Sequence, residues 1–149
     1  MKKINYNSTN TIIGIIVMIF SFIIFTLTVE PTASYWDCAE YISTSAKLQV
    51  GHPPGAPLFQ MLGAIFSTFA FESDQIALTV NMMSVTSSAL TLLFLFWSTS
   101  HLIKQHVGSE NKLVTVNEAI KIFGSSILGC LTFTFTDSFW FNAVEAEVY

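Results

Sequence analysis

Three side chains in one short stretch have the types and spacing for acid–base chemistry. Asp37 and Glu40 stand three residues apart in Trp36-Asp37-Cys38-Ala39-Glu40-Tyr41, and His52 follows in Gly51-His52-Pro53-Pro54-Gly55-Ala56-Pro57-Leu58-Phe59. A carboxylate can take the proton of an attacking hydroxyl, and an imidazole beside it can share or steer that charge. The stretch is a polar island between two strongly apolar segments, the setting in which a membrane protein keeps its chemistry. The same spacing has a plainer use. Asp37 as N-cap with Glu40 three residues on would form a capping box, and a histidine before two prolines is often just a turn residue.

A second acidic group, Asp137, Glu145 and Glu147, stands in the run from Asp137 to Tyr149. It either converges with the first group over one outward-facing cavity or is solvated at an interface, with Trp140 and Tyr149 as belt aromatics. On a helix continuing past Asp137, Phe141 and Glu145 stack above it, while Glu147 lies roughly 200° round from Glu145. Both glutamates then cannot face one cavity.

The elements that must position these groups follow from periodicity. Asp37 to Val50 contains no Gly or Pro and spaces Ile42, Ala46 and Val50 four apart, which predicts a short helix. His52-Pro53-Pro54-Gly55 must stop it, and Pro57 can open the next helix at its first position. Thr11 to Val29 carries no charge and is long enough to cross a hydrocarbon core of ~30 Å at ~1.5 Å per residue. Gln75 to Ile103 is a second long apolar run, broken by Asn81 and several Ser and Thr that can hydrogen-bond to neighbouring helices. Ala119 to Thr136 is a third. Pro57 to Phe71 is apolar but short for a crossing. On a helix it presents Leu58, Leu62, Ile65 and Phe69 as one stripe, with Gln60, Gly63 and Ser67 opposite, so it is expected to lie along the membrane surface.

The expected fold class is therefore an all-α integral membrane protein. It has about three transmembrane helices (about 11–29, 76–103 and 119–136) and a helical outer loop, 30–75, containing an interfacial helix at 57–71. Composition agrees, with 52% hydrophobic and 11% charged residues and a mean hydropathy of +0.57. Ten acids face six lysines with no arginine, which argues against a nucleic-acid partner or a polybasic membrane anchor. Lys2 and Lys3 before the first run, and Lys104 and Lys112 after the second, predict a cytoplasmic amino terminus and an outward-facing island. Asn7-Ser8-Thr9 matches a glycosylation acceptor but falls on the cytoplasmic side in that arrangement. Cys38 in the island and Cys130 in an apolar run are expected to form neither a disulfide nor a metal pair. Cys38 should be open to an impermeant maleimide and Cys130 hidden.

The Asp-x-x-Glu and His-Pro-Pro-Gly-x-Pro-Leu-Phe motifs, together with Phe139 to Tyr149, resemble the amino-terminal part of a bacterial membrane-protein family long described only as a domain of unknown function. That family is related to the protein O-mannosyltransferases of the GT-C glycosyltransferase class. The resemblance covers essentially the whole chain and implies the amino-terminal part of a GT-C-like fold in the bacterial inner membrane, with the active loop periplasmic. It implies sugar transfer from a polyprenyl-phosphate carrier to a hydroxyl of a protein or glycan acceptor, with inversion at the anomeric carbon. By motif position Asp37 is the base, and Glu40 orients the acceptor or holds Asp37. His52, Pro53 and Pro54 shape the loop beside the sugar phosphate. Glu147 is favoured over Glu145 as the functional acid of the second motif, with Glu145 and Asp137 near the substrate.

No cofactor is expected. Asp37, Glu40, Glu147 and His52 are all oxygen or nitrogen donors, but no spacing among them is diagnostic of a metal. The O-mannosyltransferases carry an arginine early in the second span, where this chain has Leu78-Thr79-Val80-Asn81. The phosphate-binding cation is then Lys47 or lies beyond Tyr149. Relatives of this kind have many more spans, so these residues are expected to be an amino-terminal fragment, inactive by themselves. A rival from another class is a non-catalytic subunit or transporter component. It would place acids deep within spans, whereas spans one and two contain none and the acids collect at one interface.

Overall fold

The computed structural model describes residues 3–107 and 112–147. Lys2, Tyr149 and the remainder of the loop before Lys112 lie outside the described residues. The chain is an all-α membrane protein with one two-stranded exception. In chain order the elements are β1 (Lys3–Asn5), α1 (Tyr6–Thr28), α2 (Cys38–Lys47), α3 (Pro57–Ser67), a 3-10 turn (Ser73–Gln75), α4 (Ile76–His106), β2 (Leu113–Thr115), α5 (Val116–Ala119), a π-helical stretch (Ile120–Gly124), α6 (Ser125–Thr134) and α7 (Asp137–Val144). Among the described residues, two helices are long and apolar enough to cross a membrane, Tyr6–Thr28 and Ser73–His106. A third is added if Val116–Thr134 and α7 count as one broken span.

The chain divides into two compact units, one of Met1–Ser21 with Ala89–Thr136, the other of Phe22–Ser88 with Asp137–Tyr149. In the first, β1 pairs antiparallel with β2, Ile4 opposite Val114. The Asn5 carboxamide accepts from the Asn7 amide at 3.1 Å and starts α1. The Tyr6 ring stacks on Phe123 at 5.7 Å and lies under the Lys104 ammonium at 4.4 Å. Its hydroxyl reaches Ser100 Oγ at 3.3 Å, and Ser100 donates to Asn10 at 2.6 Å.

The second unit holds the polar island. α2 begins at Cys38 and ends at Lys47, short of the expected Val50, because Leu48 turns into the left-handed region (φ 50°). The Leu48 and Gln49 amides close the end on the Ser45 and Thr44 carbonyls at 3.2 and 2.8 Å. Val50, read from the sequence as part of the helix's apolar stripe, is 91% exposed beyond it. Pro57 does open α3 at its first turn.

The face α3 turns to the protein is its polar and small one. Gln60 is buried, and a Cβ on Gly63 would lie 2.6 Å from Ser45 Oγ, so glycine alone lets α3 settle onto α2. Leu58, Met61, Ile65 and Phe69 point outward, more than half exposed. An apolar stripe left facing out is what a lipid-contacting surface requires.

Three expectations are corrected here. The capping box of Asp37 and Glu40 is absent. Asp37 has helical backbone angles (φ −82°, ψ −3°) and makes no side-chain capping bond, whereas a working N-cap needs extended geometry. The helix does not continue from Asp137 through Glu145 either: α6 stops at Thr134, α7 starts afresh at Asp137, and both glutamates lie past its end at Val144. Cys38 is not open to labelling. It is fully buried with Ile42, Val80 and Ala146, against Phe59, Ile76 and Ala77. Cys130 is buried too, and both cysteines are free.

Candidate functional site

Glu40, one turn into α2, is the hub of the site. Its Oε1 accepts the main-chain N–H of His52 at 2.7 Å, and its Oε2 lies 2.9 Å from His52 Nδ1. Since a carboxylate only accepts, that ring nitrogen carries the proton. The left-handed reversal at Leu48 brings the chain back so that a residue twelve positions on can be gripped at two points. Gly51 makes room, because a Cβ there would stand 3.1 Å from Glu40 Oε1 and 3.0 Å from Gln60 Nε2. Gln60 in turn donates to Thr44 Oγ1 at 3.2 Å, and Thr44 donates to the Glu40 carbonyl at 2.7 Å. Gln60 and Gly51 are contributors that sequence reading did not single out. A polar residue on the inward side of an otherwise apolar helix was the available signal.

The other edge of the imidazole faces Asp37, with Nε2 3.9 Å from Asp37 Oδ2. Asp37, Glu40 and His52 thus lie within 4.8 Å of one another by their nearest donor atoms, all partly open to solvent. The charges shape each other. Hydrogen bonds from the His52 backbone and ring hold the Glu40 carboxyl below its usual range. The Glu40 bond, its charge and that of Asp37 raise His52 above the ordinary imidazole value against a smaller opposing effect of desolvation.

The second acidic motif reaches this cluster by a route unlike the one expected. The Glu30 amide donates to the Val144 carbonyl at 3.0 Å, and Phe25 packs edge-on against Phe139 and Trp140 at 6.0 and 5.4 Å. These contacts draw the end of α7 to the start of the outer loop. Asn81, fully buried on α4, clamps the same loop by donating to the Glu30 and Thr32 carbonyls at 2.7 and 3.0 Å. Ala146 then fits beside Cys38 in the core.

A tight turn, with the Glu147 amide on the Glu145 carbonyl at 3.0 Å, separates the two glutamates. Glu147 lines a cavity of about 480 Å³ with Gly55, Leu58, Leu62, Met83 and Asn142. Burial first, then the charges of Glu145 and Asp37, push its carboxyl up. Glu145 lines a different hollow with Glu30, Tyr35 and Trp140. Asp137 is exposed in the first turn of α7, and Pro53 and Pro54 are exposed in the turn behind His52. The cluster therefore gathers Asp37, Glu40 and His52, with Glu147 coupled to Asp37. Asp137 and Glu145 are not among its members.

A resident metal ion draws on about three protein ligands. Here each Glu40 oxygen already accepts a hydrogen bond from His52, so a bound ion would have to compete with those two bonds.

An all-α membrane protein with a carboxylate–imidazole–carboxylate cluster at a helix end and an apolar cavity carrying one raised acid has the features of a candidate binding or catalytic site. The comparisons identify its kin. The family described as the Protein O-mannosyl-transferase TMEM260 N-terminal domain matches residues 37–149, and the chain belongs to that family. A protein O-mannosyl-transferase TMEM260 from Mus musculus is 29% identical over 126 residues, covering 85% of this chain and 15% of that protein. One from Dictyostelium discoideum is 26% identical over 128 residues, covering 85% and 14%. The chain thus spans about one seventh of the length of these curated relatives. No solved structure matches it significantly.

Proposed function

We propose that this chain is the amino-terminal catalytic part of a membrane glycosyltransferase of the O-mannosyltransferase kind. It takes a sugar from a polyprenyl-phosphate carrier and places it on a hydroxyl of a protein or glycan acceptor. The convergence of Asp37, Glu40 and His52 beside a cavity of about 480 Å³ carries the reading. Asp37 accepts the acceptor's proton as its oxygen attacks the anomeric carbon, and the sugar–phosphate bond breaks with its electron pair on the phosphate. The cavity's apolar walls from α3 and α4 suit an isoprenoid, while Asn142, Ser84 and Glu147 at its lining suit sugar hydroxyls.

The membrane is the bacterial inner membrane, with the amino terminus cytoplasmic and the Asp37 loop periplasmic. The lysines before α1 and after α4 support this orientation. The strand pair supports the crossing pattern. β1 precedes α1 and β2 follows α4, and their pairing keeps those two ends on one side, as two crossings require if α3 lies along the surface. The leaving phosphate is met by Lys47 or by a cation outside this stretch.

The test is a transfer assay on the full-length protein in membranes, with polyprenyl-phosphate mannose as donor and a hydroxyl-bearing peptide as acceptor. Asp37→Asn should abolish transfer while leaving insertion intact. An active Asp37→Asn protein would remove Asp37 from the role of base.

A further inference from the structure

Glu40 and His52 have no role of their own in the step just described, yet the fold joins them at two points. Glu40 holds His52 by the main chain at 2.7 Å and by the ring at 2.9 Å. Gly51 keeps the approach open, and the Thr44–Gln60 relay fixes the turn of helix that carries Glu40. The result is an imidazole with one edge committed and the other, Nε2, turned to Asp37 at 3.9 Å.

That distance decides which side of the reaction His52 serves. In an inverting displacement the base and the group that receives the leaving group lie on opposite faces of the anomeric carbon. In inverting glycosidases the two are ~6.5–9.5 Å apart. A group within 4 Å of Asp37 is on the acceptor's face and cannot also meet the departing phosphate.

Resting on the transferase reading above, we propose that Glu40 and His52 form a positioning dyad for Asp37. Glu40 fixes the imidazole, and the Nε2 edge supplies the positive charge that aims the Asp37 carboxylate at the acceptor hydroxyl. In the transfer step the acceptor oxygen bonds to the anomeric carbon, the carbon–phosphate oxygen bond breaks, and the proton goes to Asp37. His52 neither gains nor loses a proton.

The charged groups around the ring are Glu40 from α2 and Asp37 just before it. Glu147 faces Asp37, and α3, packed against α2, brings no charge. Because Glu40 raises His52, the ring keeps its charge to a pH above the usual imidazole range and loses it as pH rises further. Transfer by the full-length protein should therefore show an alkaline limb set by His52.

Glu40→Gln removes the main cause of the raised value, so the alkaline limb should move to lower pH. His52→Gln should abolish that limb. His52→Lys, which keeps the positive charge to higher pH, should carry the limb to higher pH. Where a variant loses transfer altogether, the ring resonances of His52 in full-length wild-type and Glu40→Gln protein give the same comparison, with a lower value expected in the variant.

Uniform rate losses with the alkaline limb unmoved, or an unchanged His52 titration in Glu40→Gln, would overturn the dyad while leaving the transferase reading standing. Loss of transfer with chelator and its recovery with manganese would also overturn it, in favour of an ion shared by Asp37 and His52. No transfer by the wild-type protein under any condition would overturn the transferase reading, and the dyad with it.

Discussion

Two helix starts in this chain carry the same local pattern, a capping-type residue followed three positions later by glutamate, and the two copies are used differently. At Thr115 the backbone is extended (φ −72°, ψ 160°) and a full capping box forms. Glu118 Oε2 accepts from the Thr115 amide at 2.7 Å and from its hydroxyl at 2.9 Å, and Thr115 Oγ1 accepts the Glu118 amide at 3.4 Å. At Asp37 the backbone is already helical, no cap forms, and Glu40 turns away from its own helix start to His52. A glutamate released from the local task its spacing suggests, and given a distant partner, marks a place where the fold serves something other than helix formation.

The largest effect that can break this contrast comes from Asp37→Ser. Serine caps helices about as well as aspartate, so a capping role would survive the change and a base would not. Transfer by the full-length protein should fall by at least about 10²-fold to 10⁴-fold, the usual contribution of a general base, with folding unchanged. Retained activity in Asp37→Ser would return the first motif to a structural part.

Next in size is the pair Glu40→Gln and Glu118→Gln, measured side by side. Glu40→Gln should lower transfer about tenfold at alkaline pH, the low end of what losing a hydrogen bond to a charged group costs, in step with a lower His52 value; Glu118→Gln should leave transfer alone. Stability separates them as well. The lowered Glu40 carboxyl stabilises the fold above its usual titration range and loses that effect as pH falls through its own value. The raised His52 stabilises below the usual imidazole range and loses that effect as pH rises through its own value. Their joint contribution therefore exists between the two, and Glu40→Gln should flatten the melting-temperature profile at both ends of that window. Equal transfer losses in the two variants would erase the distinction between the motifs.

Gly51→Ala follows. It leaves every charge in place but sets a methyl carbon 3.1 Å from Glu40 Oε1 and 3.0 Å from Gln60 Nε2. Both neighbours must yield by a few tenths of an ångström, so the grip on His52 loosens. Transfer should drop severalfold, less than in Glu40→Gln, with the alkaline limb shifted in the same direction. A Gly51→Ala protein with wild-type transfer and pH profile would show that the close approach has no part in setting the dyad.

Much of this architecture was legible in the residues. The uncharged runs gave the two long helices, and Pro57 gave the start of α3. The polar side of that helix, Gln60 and Gly63, is the side that became buried. What was not legible depends on backbone events that leave little trace in composition. The end of α2 rests on a left-handed Leu48, a position where glycine would have announced itself and leucine does not. Without that reversal the Glu40–His52 contact cannot be inferred from their separation.

The second motif was placed on a helix that in fact restarts at Asp137 and ends at Val144. Glu145 and Glu147 therefore lie past the end of that helix, where a turn and not helical rotation sends them to different cavities. Cys38 was misjudged because it sits between two polar neighbours in sequence, while its place in the first turn of α2 points it into the core.

The smallest effect belongs to the motif that does form a cap. Thr115→Ala removes the hydroxyl that accepts the Glu118 amide and donates to its carboxylate, which should cost about 1 kcal/mol of stability. Its neighbours make that cost local. β2 ends at Thr115 and pairs with β1, so the loss should appear as faster amide exchange at the start of α5 and in the strand pair. Transfer should be unchanged within error, since Thr115 and the Asp37 cluster belong to different compact units. Amide exchange on the full-length protein in detergent, compared with Asp37→Ser, supplies the reciprocal test. Loosening at α5 with full transfer in one variant, and an intact α2 without transfer in the other, would show that one sequence pattern serves two different ends. Equal loosening of α2 in Asp37→Ser would instead mean that Asp37 supports its helix through an interaction other than a cap, and its loss of transfer could no longer be assigned to chemistry alone.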